Sequence, residues 1–183
     1  ATAACQSIDA QVAVQRIDYQ QLRKRLLADG QVLEWTGPAP GGRDPKKLPG
    51  VVLDDADAKA TGAWTVSQSV SGFLGRGYAH DANSEKGAKS LEFTLKLPVA
   101  DRYDVRLAYQ AHANRATNVP VTIRHAEGET LVTVDQKKSP PIDGLFVSLG
   151  RFPATPDKPL IVVISTADTN GYVVVDGVQA VKP

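Results

Sequence analysis

The strongest constraint on the fold is a series of short apolar segments that begins at Val51 and continues to the end of the chain. In several of these segments every second residue is apolar, as in residues 91–97 and 103–109. Such alternation is typical of strands that have one face in a core and the other in solvent. The pattern predicts about nine strands: Val51–Asp54, Ala63–Ser67, Lys89–Leu95, Tyr103–Ala111, Val119–Arg124, Glu129–Val134, Phe146–Phe152, Leu160–Ser165 and Tyr172–Val181.

Turn-forming residues separate these segments, among them Pro98, Asp143-Gly144 and Asn170-Gly171. No segment between them has helical periodicity, which excludes a parallel sheet built from alternating strands and helices. Short, regularly spaced strands without intervening helices favour an antiparallel β-sandwich of the jelly-roll type. We therefore predict an all-β fold for residues 51–183, with a short helical appendage before it.

The part of the chain before residue 51 has a different character. A short helix is predicted after Asp18, which can cap its first turn, and before Gly30, which suits its C-terminal end. Residues 36–50 are rich in Pro and Gly, a composition typical of connectors. The predicted organisation is a helical segment over residues 1–35, a linker over 36–50 and the sandwich over 51–183.

Composition excludes several functional classes. The 183 residues carry a net charge of only +1, which gives no strong field for nucleic acid or an anionic membrane surface. No apolar run approaches the roughly 18 residues that a membrane-spanning helix needs. The lone Cys5 excludes an intramolecular disulfide framework and a zinc site of several cysteines. Because the sequence contains no Met, even at position 1, we expect a processed or excised part of a longer protein.

No catalytic motif stands out in the sequence. It lacks a Gly-x-Ser-x-Gly elbow, a P-loop and a distinguishable pair of carboxylates for glycoside chemistry. A hydrolase or lyase activity of these residues is therefore the least favoured hypothesis. The sequence predicts that this part of the protein is not an enzyme.

One short run, His80-Asp-Ala-Asn83, offers potential metal ligands. Asp81 and Asn83 could supply oxygen atoms to a structural calcium ion. The favoured alternative is a loop in which these two side chains bond their own backbone. Zinc is a weaker hypothesis, because His80, His112 and His125 have no recognisable ligand spacing.

The most unusual segment is residues 111–118, which is polar and rich in hydrogen-bond donors directly after an apolar strand. Side chains of this kind bind sugar hydroxyls, usually beside an aromatic ring. The alternative is a structured loop whose polar groups tie neighbouring turns together. The predicted binding residues are His80, His112, Asn114, Arg115 and Asn118, with Trp64 or Tyr78 as the stacking face.

A set of short motifs also runs through residues 51–181 in a fixed order. The motifs are Val52-Leu-Asp-Asp55, Gly62-Ala-Trp64, Gly77-Tyr-Ala-His-Asp81, Lys86-Gly87, Tyr103-Asp-Val105, Asn114-Arg-Ala-Thr-Asn118, His125-Ala-Glu-Gly128, Val134-Asp-Gln136 and Gly171-Tyr-Val-Val-Val-Asp176. Together they resemble the C-terminal β-sandwich module of golvesin-like and xanthan-lyase-like bacterial proteins. That resemblance implies a fold like that of carbohydrate-binding domains, and it identifies no catalytic residues.

The first 35 residues carry a second resemblance. Ala1-Thr-Ala-Ala4 and the segment with Tyr19, Leu22 and residues 26–33 are similar to the end of a planctomycete-type FAD-dependent oxidoreductase. This implies that the chain is the C-terminal part of such an enzyme. The FAD-binding Gly-x-Gly-x-x-Gly unit is absent from these residues, so no cofactor is assigned to them.

Two functional hypotheses follow. The leading one is a non-catalytic accessory module that binds a polysaccharide or oligosaccharide, in which Arg115 pairs with sugar hydroxyls or a uronate carboxylate. The alternative is a structural module that docks on its parent enzyme domain, or pairs protomers, without a small ligand. Glycan binding would favour a periplasmic or cell-surface location.

Overall fold

The computed structural model describes residues 2–33 and 39–182. The chain divides between residues 36 and 37 into an N-terminal unit and a larger C-terminal unit. Within the described ranges, no helix is long and apolar enough to cross a membrane.

The N-terminal unit is helical. Its elements are α1 (Thr2–Asp9), a 3-10 turn (Val14–Arg16) and α2 (Tyr19–Ala28). Helix α2 begins as predicted, because the Asp18 carboxylate accepts hydrogen bonds from the backbone N–H of Gln20 at 2.8 Å and of Gln21 at 3.3 Å. The helix ends at Ala28, and Gly30 two residues later has the left-handed conformation (φ 72°) that commonly follows a helix end. Neither α1 nor α2 contains a buried residue.

The C-terminal unit contains the strands. They are β1 (Val51–Asp54), β2 (Lys59–Thr61), β3 (Thr65–Ser67), β4 (Tyr78–His80), β5 (Ser90–Leu95), β6 (Asp101–Ala108), β7 (Val119–His125), β8 (Gly128–Val134), β9 (Phe146–Ala154), β10 (Leu160–Ser165), β11 (Val174–Val175) and β12 (Gly177–Val181). Two 3-10 turns, Pro45–Lys47 and Asp55–Asp57, flank β1.

The strands form two main sheets and one small sheet. The strand orders are β1-β12-β6-β9, β2-β5-β10-β7-β8 and β11-β4-β3. Every pair of neighbouring strands is antiparallel. The predicted all-β antiparallel sandwich with a small N-terminal helical part is confirmed.

The core follows from the alternation in the sequence. In β10, at the centre of the five-stranded sheet, buried and partly buried residues alternate along the whole strand. Val162 is buried in register with Phe93 on one neighbouring strand and Ile123 on the other. Val105 and Leu107 of the four-stranded sheet are also fully buried. Burying each such side chain stabilises the fold by about 1.5–3 kcal/mol.

The structure corrects the predicted strand over Ala63–Ser67. Only Thr65–Ser67 of this segment forms a strand, β3, which pairs with β4. A separate short strand, β2, precedes the segment and pairs with β5. The chain turns between them at Gly62, where φ is +74° and an added Cβ would lie 2.7 Å from the Lys89 side chain. A glycine is needed there because other residues rarely adopt this conformation.

The predicted strand over Tyr172–Val181 is also divided, at Asp176. On one side of this residue β11 pairs with β4, and on the other β12 pairs with β1 and β6. Asp176 itself donates its backbone N–H to the Ala108 carbonyl and accepts from Asp55 N–H. The chain therefore passes from the small sheet to a main sheet at Asp176. Because the residues on both sides are apolar, the sequence pattern does not indicate that the partner strand changes there.

The Pro- and Gly-rich stretch belongs to the sandwich unit from residue 39 onward. Ala39 is buried and donates to Gly75 O at 2.9 Å, and Arg43 exchanges backbone hydrogen bonds with Phe73 and Gly75. An added Cβ on Gly42 would lie 2.4 Å from Gly75 O, so glycine is what lets the two backbones approach. These residues are packed on the sandwich rather than forming a free connector. The predicted boundary between residues 35 and 36 lies outside the described residues.

Candidate functional site

A polar groove of about 400 Å³ opens where the small sheet meets the donor-rich segment. Its lining residues are Ser67, Ser69, Val70, Tyr78, His80, His112, Asn114, Arg115 and Tyr172. We call this feature the Arg115 groove. Among the residues that the structure describes, its lining holds one arginine and two histidines but no Asp or Glu.

The small sheet builds one wall of the Arg115 groove. Strand β4 lies between β3 and β11, which places Ser67 directly opposite Tyr78. Ser67 Oγ donates to the Tyr78 hydroxyl at 3.4 Å and lies 3.0 Å from Ser69 Oγ. The register of the sheet therefore brings two hydroxyl side chains to the rim of the groove.

The opposite wall is built by two segments that are distant in sequence. Tyr172 N–H donates to Asn114 O at 3.1 Å, and Ala116 N–H donates to Tyr172 O at 2.9 Å. Between these bonds, an added Cβ on Gly171 would lie 2.7 Å from the carbonyl carbon of Arg115. Gly171 thus permits the close backbone contact that holds Arg115 and Tyr172 in the same wall.

Arg115 is the central charged group of the groove, and it is only 7% exposed. Its Nε donates to Gln110 O at 3.1 Å and its Nη1 donates to Asn114 Oδ1 at 2.9 Å. The guanidinium carbon lies 5.9 Å from the centroid of the Tyr78 ring, within the range of a cation–π interaction. These contacts fix the plane of the guanidinium.

Part of this guanidinium faces the groove. Among residues 2–33 and 39–182, no acceptor for Arg115 Nη2 is found. The buried side-chain polar atoms that lack a partner in these ranges are Gln6 Oε1 and Gln110 Oε1, so Arg115 Nη2 is not a buried orphan and reaches solvent. The arginine therefore presents open N–H donors to a ligand.

His80 adds a neutral donor beside this cation. Its Nδ1 accepts from Ala82 N–H at 3.1 Å, which places the proton of the neutral ring on Nε2. Burial, and then the charge of Arg115, lowers the pKa of His80 below its usual value, so the ring is neutral at pH 7. The His80 ring meets Tyr172 edge-on, with centroids 6.0 Å apart.

Five of the seven predicted binding residues line the Arg115 groove: Tyr78, His80, His112, Asn114 and Arg115. His112 and Asn114 are joined side chain to side chain, with Nδ1 and Oδ1 2.9 Å apart. Tyr78, however, is only 2% exposed. Its ring supports the guanidinium from beneath and offers no open face to a sugar, which corrects its predicted role as a stacking face.

Trp64 and Asn118 do not line the Arg115 groove. Trp64 precedes β3, packs partly buried against the main core and donates Nε1–H to Thr61 O at 3.2 Å. Asn118 donates to Asp168 O at 2.8 Å and accepts from Asn170 N–H at 3.0 Å. Both side chains are engaged in local structure, so the structure does not place them with the other predicted residues.

Tyr172 is the aromatic residue that sequence reasoning missed. Its side chain is partly exposed and lines the groove, whereas Tyr78 is buried. The sequence feature that points to Tyr172 is its position directly after the Asn170-Gly171 turn, because an aromatic ring next to a turn can stay partly exposed. Ser67 and Ser69 carried no comparable signal, because serine is common in loops.

The run His80-Asp-Ala-Asn83 leads from β4 into a tight turn. The Asp81 carboxylate is fully buried and accepts from Lys86 Nζ at 2.5 Å, Val173 N–H at 3.0 Å and Asn83 N–H at 2.9 Å. The Lys86 ammonium thus neutralises the Asp81 carboxylate, and Asn83 contributes its backbone N–H to this carboxylate. The weak calcium candidates Asp81 and Asn83 stay a prediction. Within the described ranges, no group of three or more His, Cys, Asp or Glu side chains is arranged to hold a metal ion.

A cluster of carboxyl groups lies where β1 ends and β12 begins. Asp176 is fully buried, accepts from Leu74 N–H at 3.0 Å and accepts from Gln110 Nε2 at 2.7 Å. Burial raises its pKa well above the usual range. Burial also raises the pKa of Asp54 to about 6 and that of Asp55, which lies beside the Asp54 charge, to about 7. The cluster therefore holds protons at a higher pH than exposed aspartates do, and Asp54 and Asp55 lose theirs between about pH 6 and 7.

The fold is a jelly-roll-type β-sandwich, and it carries a polar groove large enough for a small ligand. The sequence profile of the Golvesin C-terminal domain matches residues 51–182, and the chain belongs to this family. It is 36% identical over 141 residues to the curated "Xanthan lyase" of Bacillus sp. (strain GL1). That match covers 74% of this chain but only 15% of the relative, so the chain spans a small part of the relative's length.

Solved structures show the same architecture. The Paenibacillus xanthan lyase structure aligns with a TM-score of 0.67 at 36% identity, over 72% of this chain and 13% of that one. A GH26-CBM35 beta-(1,4)-mannanase from Podospora anserina aligns with a TM-score of 0.55 at 20% identity, over 73% of this chain and 28% of that one. The second similarity concerns the fold alone.

Proposed function

We propose that the sandwich is a non-catalytic accessory module of a larger enzyme and that it binds a glycan in the Arg115 groove. The observation that carries this proposal is the preformed donor set around Arg115. A fixed guanidinium with open N–H groups lies beside the neutral His80 and the half-open ring of Tyr172. Sugars present hydroxyl acceptors and an apolar face, which such a set can satisfy together.

The chemistry of the lining supports a binding role rather than a catalytic one. Glycoside hydrolysis uses two carboxyl groups that face one cleft. Of the described residues, those that line the Arg115 groove include no Asp or Glu. The carboxyl cluster of Asp54, Asp55 and Asp176 is not part of this lining.

The relatives support an accessory role in a larger enzyme. The chain matches a small part of a protein named for xanthan lyase activity, and it shares its fold with part of a mannanase. A role on polysaccharide would place the protein in the periplasm or at the cell surface. The proposed parent, an FAD-dependent oxidoreductase, rests on the resemblance of residues 1–35 alone.

A specific observation favours the alternative, a docking module. Helices α1 and α2 contain no buried residue, and apolar side chains such as Ile8, at 75% exposure, lie open to solvent. Short isolated helices are marginal in water, so this unit needs a packing partner. Docking through the helices and glycan binding by the sandwich are compatible.

The test is affinity electrophoresis of the 183-residue chain in gels that contain neutral or acidic polysaccharides. We expect at least one polysaccharide to retard the protein, and Tyr172→Ala to reduce that retardation about tenfold by removing the stacking face. Tyr19→Ala is the matched control, because Tyr19 is an exposed tyrosine of the helical unit. If a folded wild-type protein is retarded in none of the gels, the docking role replaces glycan binding.

A further inference from the structure

We infer that the Arg115 groove selects sugars that carry a carboxylate, and that the Arg115 guanidinium is their charge partner. This inference rests on the proposed function and specifies its ligand class. The fold buries Arg115 without a counter-ion among the described residues.

The first step is the charge of the groove itself. Among the described residues, the ion pairs involve Lys86, Lys89, Arg102, Arg106, Arg124, Lys138 and Lys182, and none involves Arg115. A buried cation without a counter-ion is unfavourable, because its lost hydration is not replaced by an opposite charge. The groove therefore holds a positive charge that an anionic ligand would neutralise.

The second step concerns the nearby carboxylates, which are engaged elsewhere. Asp81, whose charge acts on His80, is bound to the Lys86 ammonium at 2.5 Å. Asp176 accepts from Leu74 and from Gln110 Nε2. Neither carboxylate forms an ion pair with the Arg115 guanidinium.

The third step is the geometry of the guanidinium. Gln110 O accepts from the Nε–H, Asn114 Oδ1 accepts from one Nη1–H, and the Tyr78 ring packs against the guanidinium plane. The remaining N–H groups of Nη1 and Nη2 can donate in parallel to the two oxygens of a carboxylate. Because the fold already orders the guanidinium, ligand binding costs little conformational entropy of the Arg115 side chain.

The fourth step is the neutrality of the other donors. His80 is neutral and carries its proton on Nε2, where it can donate, and Ser67 and Ser69 contribute hydroxyl groups. These groups suit sugar hydroxyls and add no further charge. A neutral sugar would use them but would displace water from the guanidinium without supplying an opposite charge. We expect the affinity for carboxylated sugars to exceed the affinity for matched neutral sugars by about tenfold or more.

The experiment compares a panel of acidic polysaccharides with the carboxyl-reduced form of each, in which the uronate becomes a neutral hexose. Binding of the full chain is measured by affinity electrophoresis and by titration in solution. We expect wild type to lose about tenfold or more in affinity for the reduced forms, and Arg115→Gln to bind both forms equally weakly. Arg115→Lys should keep part of the preference, since it keeps the charge but loses the fork. Arg124→Gln, an exposed arginine outside the groove, should leave the preference unchanged.

Because Arg115 also holds its loop, a second measurement uses the unmodified protein. Nitrogen NMR signals of the Arg115 side chain are followed during titration with glucuronate and with methyl glucoside. We expect glucuronate to shift these signals and methyl glucoside to leave them in place. Equal binding of acidic and reduced polysaccharides, or an unchanged preference in Arg115→Gln, would overturn the carboxylate inference and leave glycan binding intact. A folded protein that binds no polysaccharide would overturn the proposed function, and this inference with it.

Discussion

Raising the pH from about 4 to about 8 should destabilise the sandwich, because the carboxyl cluster binds protons more tightly when folded. An unfolded Asp titrates near pH 3.8, whereas burial raises the pKa of Asp54 to about 6 and of Asp55 to about 7. Between these values the folded state holds more protons than the unfolded state, so the free energy of unfolding falls as pH rises. The contribution of protonated Asp55 to the free energy of unfolding is complete below pH 3.8 and is lost as the pH rises through about 7.

The size of this effect follows from the Asp55 shift. One proton of difference corresponds to about 1.4 kcal/mol per pH unit. The pKa of Asp55 rises from 3.8 to about 7, but its side chain is partly exposed and solvent screens part of the interaction. Reducing the full value by about half for this screening leaves about 2 kcal/mol across the window from this group.

The assay is urea unfolding at a series of pH values, followed by circular dichroism, for wild type and Asp55→Asn. Asparagine cannot ionise, so the variant should lose stability less steeply above pH 4 and should be more stable than wild type at about pH 8. Asp157→Asn, at an exposed position between β9 and β10, should retain the wild-type slope. A wild-type stability that is flat or rises between about pH 4 and 7, or an unchanged slope in Asp55→Asn, would refute the reasoning.

Three further substitutions test the parts of the fold that form the groove and the core. Gly171→Ala places a Cβ 2.7 Å from the Arg115 backbone. Urea unfolding should show a free energy of unfolding lower by about 1–3 kcal/mol, and affinity gels should show weaker glycan binding. Gln136→Ala removes the bonds of 2.6 Å and 2.9 Å to the backbone of Val174, and the unpaired buried groups should cost about 1–3 kcal/mol by the same unfolding assay. Phe93→Ala leaves a cavity at a fully buried position and should cost about 3–5 kcal/mol, seen as a lower urea midpoint.

The donor-rich segment shows how far the sequence predicts the site. His112, Asn114 and Arg115 are close in the chain, so their clustering was visible from sequence, and all three line the groove. Tyr172 was missed because it reaches Arg115 only through backbone bonds between distant segments. Residue type alone predicts a place in the site for Trp64, yet local packing and its bond to Thr61 O hold it elsewhere. Residue type predicts what a side chain can bind, whereas its neighbours decide whether it is free to bind.

The sequence by itself determined the strands with clear alternation, the cap of α2 and the antiparallel all-β class. Each of these depends on interactions within a few residues or on the requirement that one strand face be buried. Only the tertiary structure decided the division of residues 172–181 between two sheets, the packing of residues 39–50 and the partners of Arg115. These features depend on contacts between distant parts of the chain. In particular, only the fold leaves Arg115 buried without a carboxylate partner in the described part of the chain, and the proposed ligand class follows from that feature.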